Sequence, residues 1–319
     1  MTSKVYFHKK LHEWYRNEGR KDLPWRNTND AYAIYLSEVM LQQTQVKTVQ
    51  ERYYFQFLKR FPTLDALAKA KEQDVLSAWQ GLGYYSRARN LHKAAKSCKG
   101  NLPRSIEELT TLPGIGRNTA HAIAAFAYHD PAAVMEANVK RVLSRIFALK
   151  SPTTEELWEK AGTLLDSKEP FDYNQAMMDI GAMVCTKRAP KCNQCPAETI
   201  CEGKINPEAY PERTAKKAVP VRNKVIVVKQ NQRGEYFATP RTSKFLSGLY
   251  HFEEHDAPYS PQKSRMLGHI RQQYSHFTLE ADVYLLQTAK SSGKGWYSLK
   301  QLKKLPVSIA EKKILEMLS

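Results

Sequence analysis

Four of the five cysteines, Cys185, Cys192, Cys195 and Cys201, fall within 17 residues at the spacing C-x6-C-x2-C-x5-C, and Cys98 stands apart. Thiolates are soft ligands, and four this close can wrap one soft metal centre. An iron–sulfur cluster fits the loop lengths and the lack of histidine in the set. A structural zinc site also takes four cysteines, but usually as two C-x2-4-C pairs, and only one such pair is present. Chance clustering is the third reading. A secreted disulfide framework would scatter an even number of cysteines, so the pattern suits a reducing cytoplasm. Lys187, Arg188 and Lys191 lie inside the same loop, where a metal-pinned backbone would present their charges to phosphates.

A second stretch is built to meet an anion. Leu112-Pro113-Gly114-Ile115-Gly116 sits between two helical segments. Gly114 and Gly116 permit a tight turn and the close approach of another backbone. The N–H groups that open the next helix, at Arg117, Asn118 and Thr119, then face outward, where a helix N-terminus binds phosphate oxygens. Alone, G-x-G is as readily a plain inter-helix turn. Flanking Leu109, Leu112 and Ile115, with the cysteine cluster downstream, make it specific.

The whole chain carries the matching charge. Its 319 residues suffice for two domains, possibly three. Lysine and arginine number 49 against 32 acidic residues, a formal +17 and a pI near 9.5. Such a surplus predicts an anionic partner, nucleic acid before membrane surface. Residues 1–220 hold a surplus of nine and residues 221–319 a surplus of eight, so both halves are expected to help hold a polyanion, with affinity that falls steeply with salt. An apolar content of 42% excludes a disordered tail, a collagen or a coiled-coil rod. The longest apolar stretches, such as Ala122–Tyr128, are far below the roughly 20 residues of a membrane span. Met1–Tyr15 lacks the apolar core of a secretory signal.

Apolar residues recur at helical spacing in Tyr6–Glu18, Ala31–Lys59, Leu64–Ala70, Asp74–Trp79, Ala88–Ser97, Ser105–Leu109, Asn118–Tyr128, Val139–Leu149, Thr154–Leu165 and Tyr173–Cys185. No convincing strand precedes about residue 220. Residues 207–221, with three prolines, Lys216 and Lys217, read as a linker. Val225–Lys229, Tyr236–Thr239 and Phe277–Leu286 then read as strands, with a turn at Asn231–Gly234. The expected architecture is multidomain: an all-α region over 1–206, then an α+β domain over 222–319.

These features resemble the helix-hairpin-helix DNA glycosylases, whose endonuclease III branch carries this cysteine spacing around a [4Fe–4S] cluster. Three longer stretches are similar to the adenine DNA glycosylases, the MutY family: Leu36–Val46 (LSEVMLQQTQV), Gly81–Asn90 (GLGYYSRARN) and Asn174–Ala182 (NQAMMDIGA). The resemblance implies a six-helix core over about 29–136 and an iron–sulfur domain from the N-terminal segment plus about 137–206. It implies a monomeric, cytoplasmic, nucleoid-associated enzyme that flips out and removes adenine mispaired with 8-oxoguanine, or with guanine, from double-stranded DNA.

Residue roles follow from the same resemblance. Glu38 matches the general acid, and burial among Leu36, Val39, Met40 and Leu41 would raise its pKa. The family's second carboxylate is an aspartate followed by Gly-Asn-Val. Here the run is Glu136-Ala137-Asn138-Val139, longer by one methylene, or about 1.5 Å of reach. Full activity, slow activity and binding without cutting are all open, since a misplacement of about 1 Å can cost on the order of a hundredfold. Trp25, Arg26 and Gln175 match the adenine pocket, and an amide pairs well with adenine. Gln42 and Tyr84 match the wedge into the duplex, with Arg87 and Arg89 beside it for phosphates. Asn118 stands where bifunctional enzymes have their Schiff-base lysine, which implies hydrolysis without strand cleavage. An endonuclease III-like lyase and a lesion-binding protein are the alternatives.

Residues 222–319 resemble the family's Nudix-like lesion-reading domain. The Nudix catalytic R-E-x-x-E-E run is absent, so nucleotide hydrolysis is not expected. Tyr274-Ser275-His276-Phe277 matches a family motif for 8-oxoguanine, with Ser275 and His276 as its hydrogen-bonding groups.

Overall fold

The computed structural model describes residues 3–212, 218–243, 245–289 and 293–319; Lys216 and Lys217 lie outside the described residues. Two compact units form, Met1–Ala68 with Lys93–Ala215, and Lys69–His92 with Lys216–Ser319. The segment Lys69–His92, expected within the 1–206 region, groups with the second unit. Its hydrogen bonds show why: Tyr85 Oη donates to the Val307 carbonyl and Gln80 Nε2 to that of Leu305.

In the first unit the N-terminal helix, Ser3–Glu18, buries Phe7, Leu11 and Tyr15 against Val139, Leu143, Trp158, Tyr173 and Met177. The N-terminal segment thus shares a core with residues beyond 137. The Ala31–Leu41 helix is capped by Asp30, whose side chain accepts from the Tyr32 N–H. It is apolar on nearly every face, with Tyr32 through Ser37 all buried. The Arg117–Ala127 helix packs against it through Ala122, Ala124 and Ala125, whose small side chains let the two backbones come close. The periodic stretch Ala31–Lys59 is not one helix. Gln43 adopts a left-handed φ of 59°, and the chain restarts at Val46 with a π turn at Val49–Tyr53. Apolar periodicity continues across such a break and cannot reveal it.

Between the Arg117–Ala127 and Ala137–Ile146 helices the chain runs extended over 132–136. Asn174, 1% exposed, holds it: Oδ1 accepts from the Val134 N–H at 2.8 Å, and Nδ2 donates to the Ala132 carbonyl at 2.8 Å. Asn118 Oδ1 accepts from the Met135 N–H at 2.7 Å, and a His121 ring nitrogen lies 2.9 Å from the Ala133 carbonyl.

The second unit carries the strands, and among the described residues none precedes Val221. They are β1 (Val221–Asn231), β2 (Tyr236–Phe237), β3 (Thr239–Pro240), β4 (Tyr250–His251), β5 (Glu253–Asp256), β6 (Ser264–Gln273), β7 (Thr278–Thr288) and β8 (Trp296–Tyr297). The sheet order is β6-β7-β1-β2-β8, with β5 also on β1, while β3 pairs β4 separately. β1 and β7 run parallel from Val221 opposite Thr278 to Asn231 opposite Thr288. The helix Ile309–Met317 packs Ile314 and Leu315 into a core with Ile226, Val228, Ile270 and Val283. This is the expected α+β texture. No helix among the described residues is long and apolar enough to cross a membrane.

Replacing Asn174 with Ala would leave buried backbone groups of 132–134 unpaired. At roughly 1–3 kcal/mol for each unsatisfied group, a loss of about 2–4 kcal/mol is expected in urea unfolding. A loss below about 0.5 kcal/mol would show that the segment is held by other means.

Candidate active site and nucleic-acid interface

The centre of the first unit is a pair of carboxyl groups. Glu38 projects from the otherwise apolar Ala31–Leu41 helix, largely enclosed by protein and partly exposed. Glu136 caps the N-terminus of the Ala137–Ile146 helix with extended backbone, at the end of the pinned segment. Burial and then the charge of Glu136 push the Glu38 carboxyl up to about 7, against the opposing field of Arg26. Burial also raises Glu136, but Asn138, Arg20 and Arg141 pull it back. The environments are therefore unequal. Glu38 is the group that keeps a proton near neutrality, and Glu136 is the one surrounded by donors and cations.

Arg26 is buried and committed. Its two Nη atoms donate to the Asp179 carboxylate at 2.7 and 2.8 Å, and Arg20 donates to the same carboxylate through Nε at 2.8 Å and Nη2 at 2.6 Å. Asp179 is fully buried, and its carboxyl is held below the usual range because the hydrogen bonds and charges of Arg26 and Arg20 outweigh burial. Among the described residues Nε of Arg26 has no hydrogen-bond partner. The sequence reading missed Asp179, although it lies inside the quoted Asn174–Ala182 stretch. An aspartate in so apolar a run needs a buried cation, and that was the available signal.

Other expected residues cluster around this frame. Asn138 Oδ1 accepts from Arg141 Nη2 at 3.0 Å. A Cβ on Gly181 would lie 2.6 Å from that of Asn138, so a glycine is required at this crossing. Gln175 is 3% exposed on the Pro170–Asp179 helix, and among the described residues its side-chain amide makes no hydrogen bond. Trp25 is buried edge-on to Tyr54, with ring centroids 5.3 Å apart.

The glycine hairpin joins the Ile106–Thr111 and Arg117–Ala127 helices. Gly114 takes a left-handed φ of 81°, which demands glycine. Gly116 is extended, and a Cβ there would meet nothing within 4 Å. Its lack of a side chain serves nothing inside the protein and leaves the uncapped helix N-terminus open to an outside group. Arg117 is half-exposed, paired with Glu155 at 2.9 Å and stacked 4.1 Å over Trp158. Thr119 is buried and receives Gln42 Nε2 at 3.4 Å. Asn118 turns its side-chain oxygen inward to Met135, so its contribution to the hairpin is positional.

In the second unit Tyr84 is 42% exposed in a left-handed conformation with φ 48°. Arg87 corrects an expectation. It is buried, with Nη2 on the Leu82 and Gly83 carbonyls and its guanidinium over the rings of Trp79 and Tyr84. Burial pulls it down to about 10. It braces the turn that presents Tyr84, with its guanidinium spent on that turn's carbonyls. Arg89, two positions on, donates to the Ser247 carbonyl. Ser275 and His276 form the turn between β6 and β7, closed by the Tyr274 N–H donating to the Phe277 carbonyl at 2.8 Å. With Tyr84 they line an open cavity of about 330 Å³.

The four cysteines Cys185, Cys192, Cys195 and Cys201 all line one small cavity of about 20 Å³. Burial pushes the Cys195 thiol up to about 12 and that of Cys201 up to about 11. As bare thiols they would stay protonated, and a cation among them would favour the thiolates. Lys187, Arg188 and Lys191 are exposed beside them.

Residues 36–166 match the HhH-GPD superfamily of base excision DNA repair proteins. The adenine DNA glycosylase of Buchnera aphidicola subsp. Schizaphis graminum is 32% identical over 95% of this chain and 96% of its own length. The human adenine DNA glycosylase is 43% identical over 62% of this chain and 39% of that protein. The match to the enzyme of Buchnera aphidicola subsp. Baizongia pistaciae spans 61% of that protein at 41% identity. Among solved structures, a thermostable thymine-DNA glycosylase superposes with a TM-score of 0.59 at 27% identity, over 63% of this chain and 96% of that one. A non-covalent endonuclease III–DNA complex gives 0.54 at 21% identity over 64% and 98%, which shows the fold alone.

The raised Glu38 carboxyl has a stability cost of known sign. Its folded-state value of about 7 lies above its ordinary 4.5, so its contribution is full below 4.5 and is lost as pH rises towards 7. Glu38→Gln is therefore expected to exceed the parent in stability by up to about 3 kcal/mol near pH 8, and by much less near pH 4. Denaturant unfolding at both pH values checks this; a difference independent of pH would contradict it.

Proposed function

This chain belongs to the adenine DNA glycosylases, base excision repair enzymes of the helix-hairpin-helix superfamily, and from that premise we propose that it hydrolyses adenine opposite 8-oxoguanine in double-stranded DNA without cutting the strand. The observation that carries the chemical part is the pair of unequal carboxyls, Glu38 and Glu136.

The reaction breaks the bond between the sugar C1′ and the base nitrogen. The electron pair leaves with adenine, and protonating the base makes it a better leaving group. Glu38 holds that proton near pH 7. The sugar becomes oxocarbenium-like, and the Glu136 carboxylate stabilises its positive charge. Water adds hydroxide to C1′, and its remaining proton returns to the Glu38 carboxylate. Gln175 supplies the free amide for the flipped adenine, against Trp25. Arg26 acts at one remove: its charge biases Glu38 while Asp179 fixes its position. Asn118 has no amine and spends its side-chain oxygen on Met135, which favours hydrolysis over Schiff-base chemistry.

The duplex is held by the hairpin N-terminus at Gly114–Thr119, with Gly116 leaving room for a phosphate, and by the exposed cations of 187–191. Cys185, Cys192, Cys195 and Cys201 would hold a [4Fe–4S] cluster, which when bound cross-links this loop. Tyr84 wedges the duplex, and the cavity it shares with Ser275 and His276 takes the 8-oxoguanine. That assignment gives the second unit, a Nudix-like domain without its hydrolytic residues, the role of lesion reader.

The test uses an 8-oxoguanine:adenine duplex examined with and without alkali. Strand breaks only after alkali are expected; breaks without alkali would mean a lyase, and tight binding without base loss a non-catalytic protein. Glu136→Gln should slow single-turnover base loss by about 10²–10³, and a parent-like rate would remove Glu136 from the mechanism. Glu136→Asp should also be slower, because the pinned segment presents a glutamate; a gain above about tenfold would show the native residue to be a compromise.

A further inference from the structure

A second constellation lies in the first unit and takes no part in the proposed reaction. His12 of the Ser3–Glu18 helix is 7% exposed. Its Nε2 lies 3.0 Å from Asp166 Oδ2. Asp166 is fixed in turn by the Lys168 N–H, which donates to Oδ1 at 3.0 Å. With Nε2 spent on Asp166, the imidazole turns its other nitrogen, Nδ1, away from that carboxylate. That Nδ1 is buried and, among the described residues, has no hydrogen-bond partner. Facing it are Glu169, with a carboxylate oxygen at 3.4 Å, and Asp172; one oxygen from each and Nδ1 all lie within 4.8 Å of one another. No lysine or arginine among the described residues pairs with either carboxylate.

An unprotonated ring nitrogen turned towards two carboxylates is electrostatically unfavourable, and a divalent cation resolves it. We infer that His12 Nδ1, Glu169 and Asp172 form a binding site for a zinc-class divalent metal ion, with Asp166 orienting the imidazole from behind. A metal-bound histidine that gives its other N–H to a carboxylate is a recurring arrangement. One imidazole and two carboxylates suit zinc, with a fourth position left to water. Two negative ligands balance the ion's charge. Glu169 is the N-cap of the Pro170–Asp179 helix and Asp172 lies in its first turn. The ion would therefore staple the N-terminal helix to the helix that carries Asn174, Gln175 and Asp179. The rival occupant of the same geometry is a proton, giving an imidazolium between carboxylates.

Calorimetric titration of the full-length protein with zinc, with iron content measured in parallel to account for the cysteines, decides between them. The parent should bind one zinc ion per chain, with a raised melting temperature. Asp172→Asn and Glu169→Gln, both at positions with solvent access, should lose that equivalent with iron content unchanged. Asp166→Asn should weaken it by about 10- to 100-fold. No zinc bound by the parent, or the same stoichiometry and affinity in Asp172→Asn, would overturn the site. Stability that falls as pH rises through the histidine range, with no response to zinc, would assign the cluster to the proton.

Discussion

Two poorly solvated carboxyl groups feel one another's charge, and much of the first unit makes that tolerable. Burying ionised carboxylates without compensation costs many kcal/mol. Here one of the pair answers by keeping its proton and the other by gathering cations and amides. The asymmetry needs fixed distances, and the backbone supplies them. Glu38 stands on a helix buried almost all round, while Glu136 ends a segment held by Asn174, Asn118 and His121. The backbone that leads to Glu136 cannot shift without breaking these hydrogen bonds.

The buried ion cluster at Asp179 extends the same logic. Three charges are paired through charge-assisted bonds of 2.6–2.8 Å. They place a positive group near Glu38 without leaving it free to neutralise the acid. A free arginine there would pull the Glu38 proton off, whereas one spent on Asp179 only moderates the upward shift. Charge elsewhere does different work. The formal +17 suits attraction to a polyanion, while under the proposed function discrimination would fall to groups such as Gln175, Ser275 and His276.

The sequence revealed the chemistry better than its support. The glycine hairpin and the four cysteines stand out because residue type and spacing together restrict what they can do, and Glu38 stands out only through the resemblance of Leu36–Val46. The principal helices and β1 and β7 were legible from periodicity and β-branched runs. β3, β4 and β8 were not, since two residues show no alternation. Arg87 and Arg89 looked equivalent in sequence, yet helical geometry turns residues two apart to different faces, burying Arg87 and sending Arg89 to Ser247. The clamps through Asn118 and Asn174 join positions 17 and 40 residues apart, and local pattern carries no trace of such bonds.

The central claim is that Glu38 holds its proton near neutrality because of where it is buried and what it faces. The direct measurement is a carbon-13 NMR titration of glutamate side-chain carboxyls, with the Glu38 signal assigned by its absence in Glu38→Gln. A midpoint near 7 is expected, moving down in Glu136→Gln as the facing charge is removed. A midpoint near the ordinary 4.5, unmoved by that substitution, would contradict it.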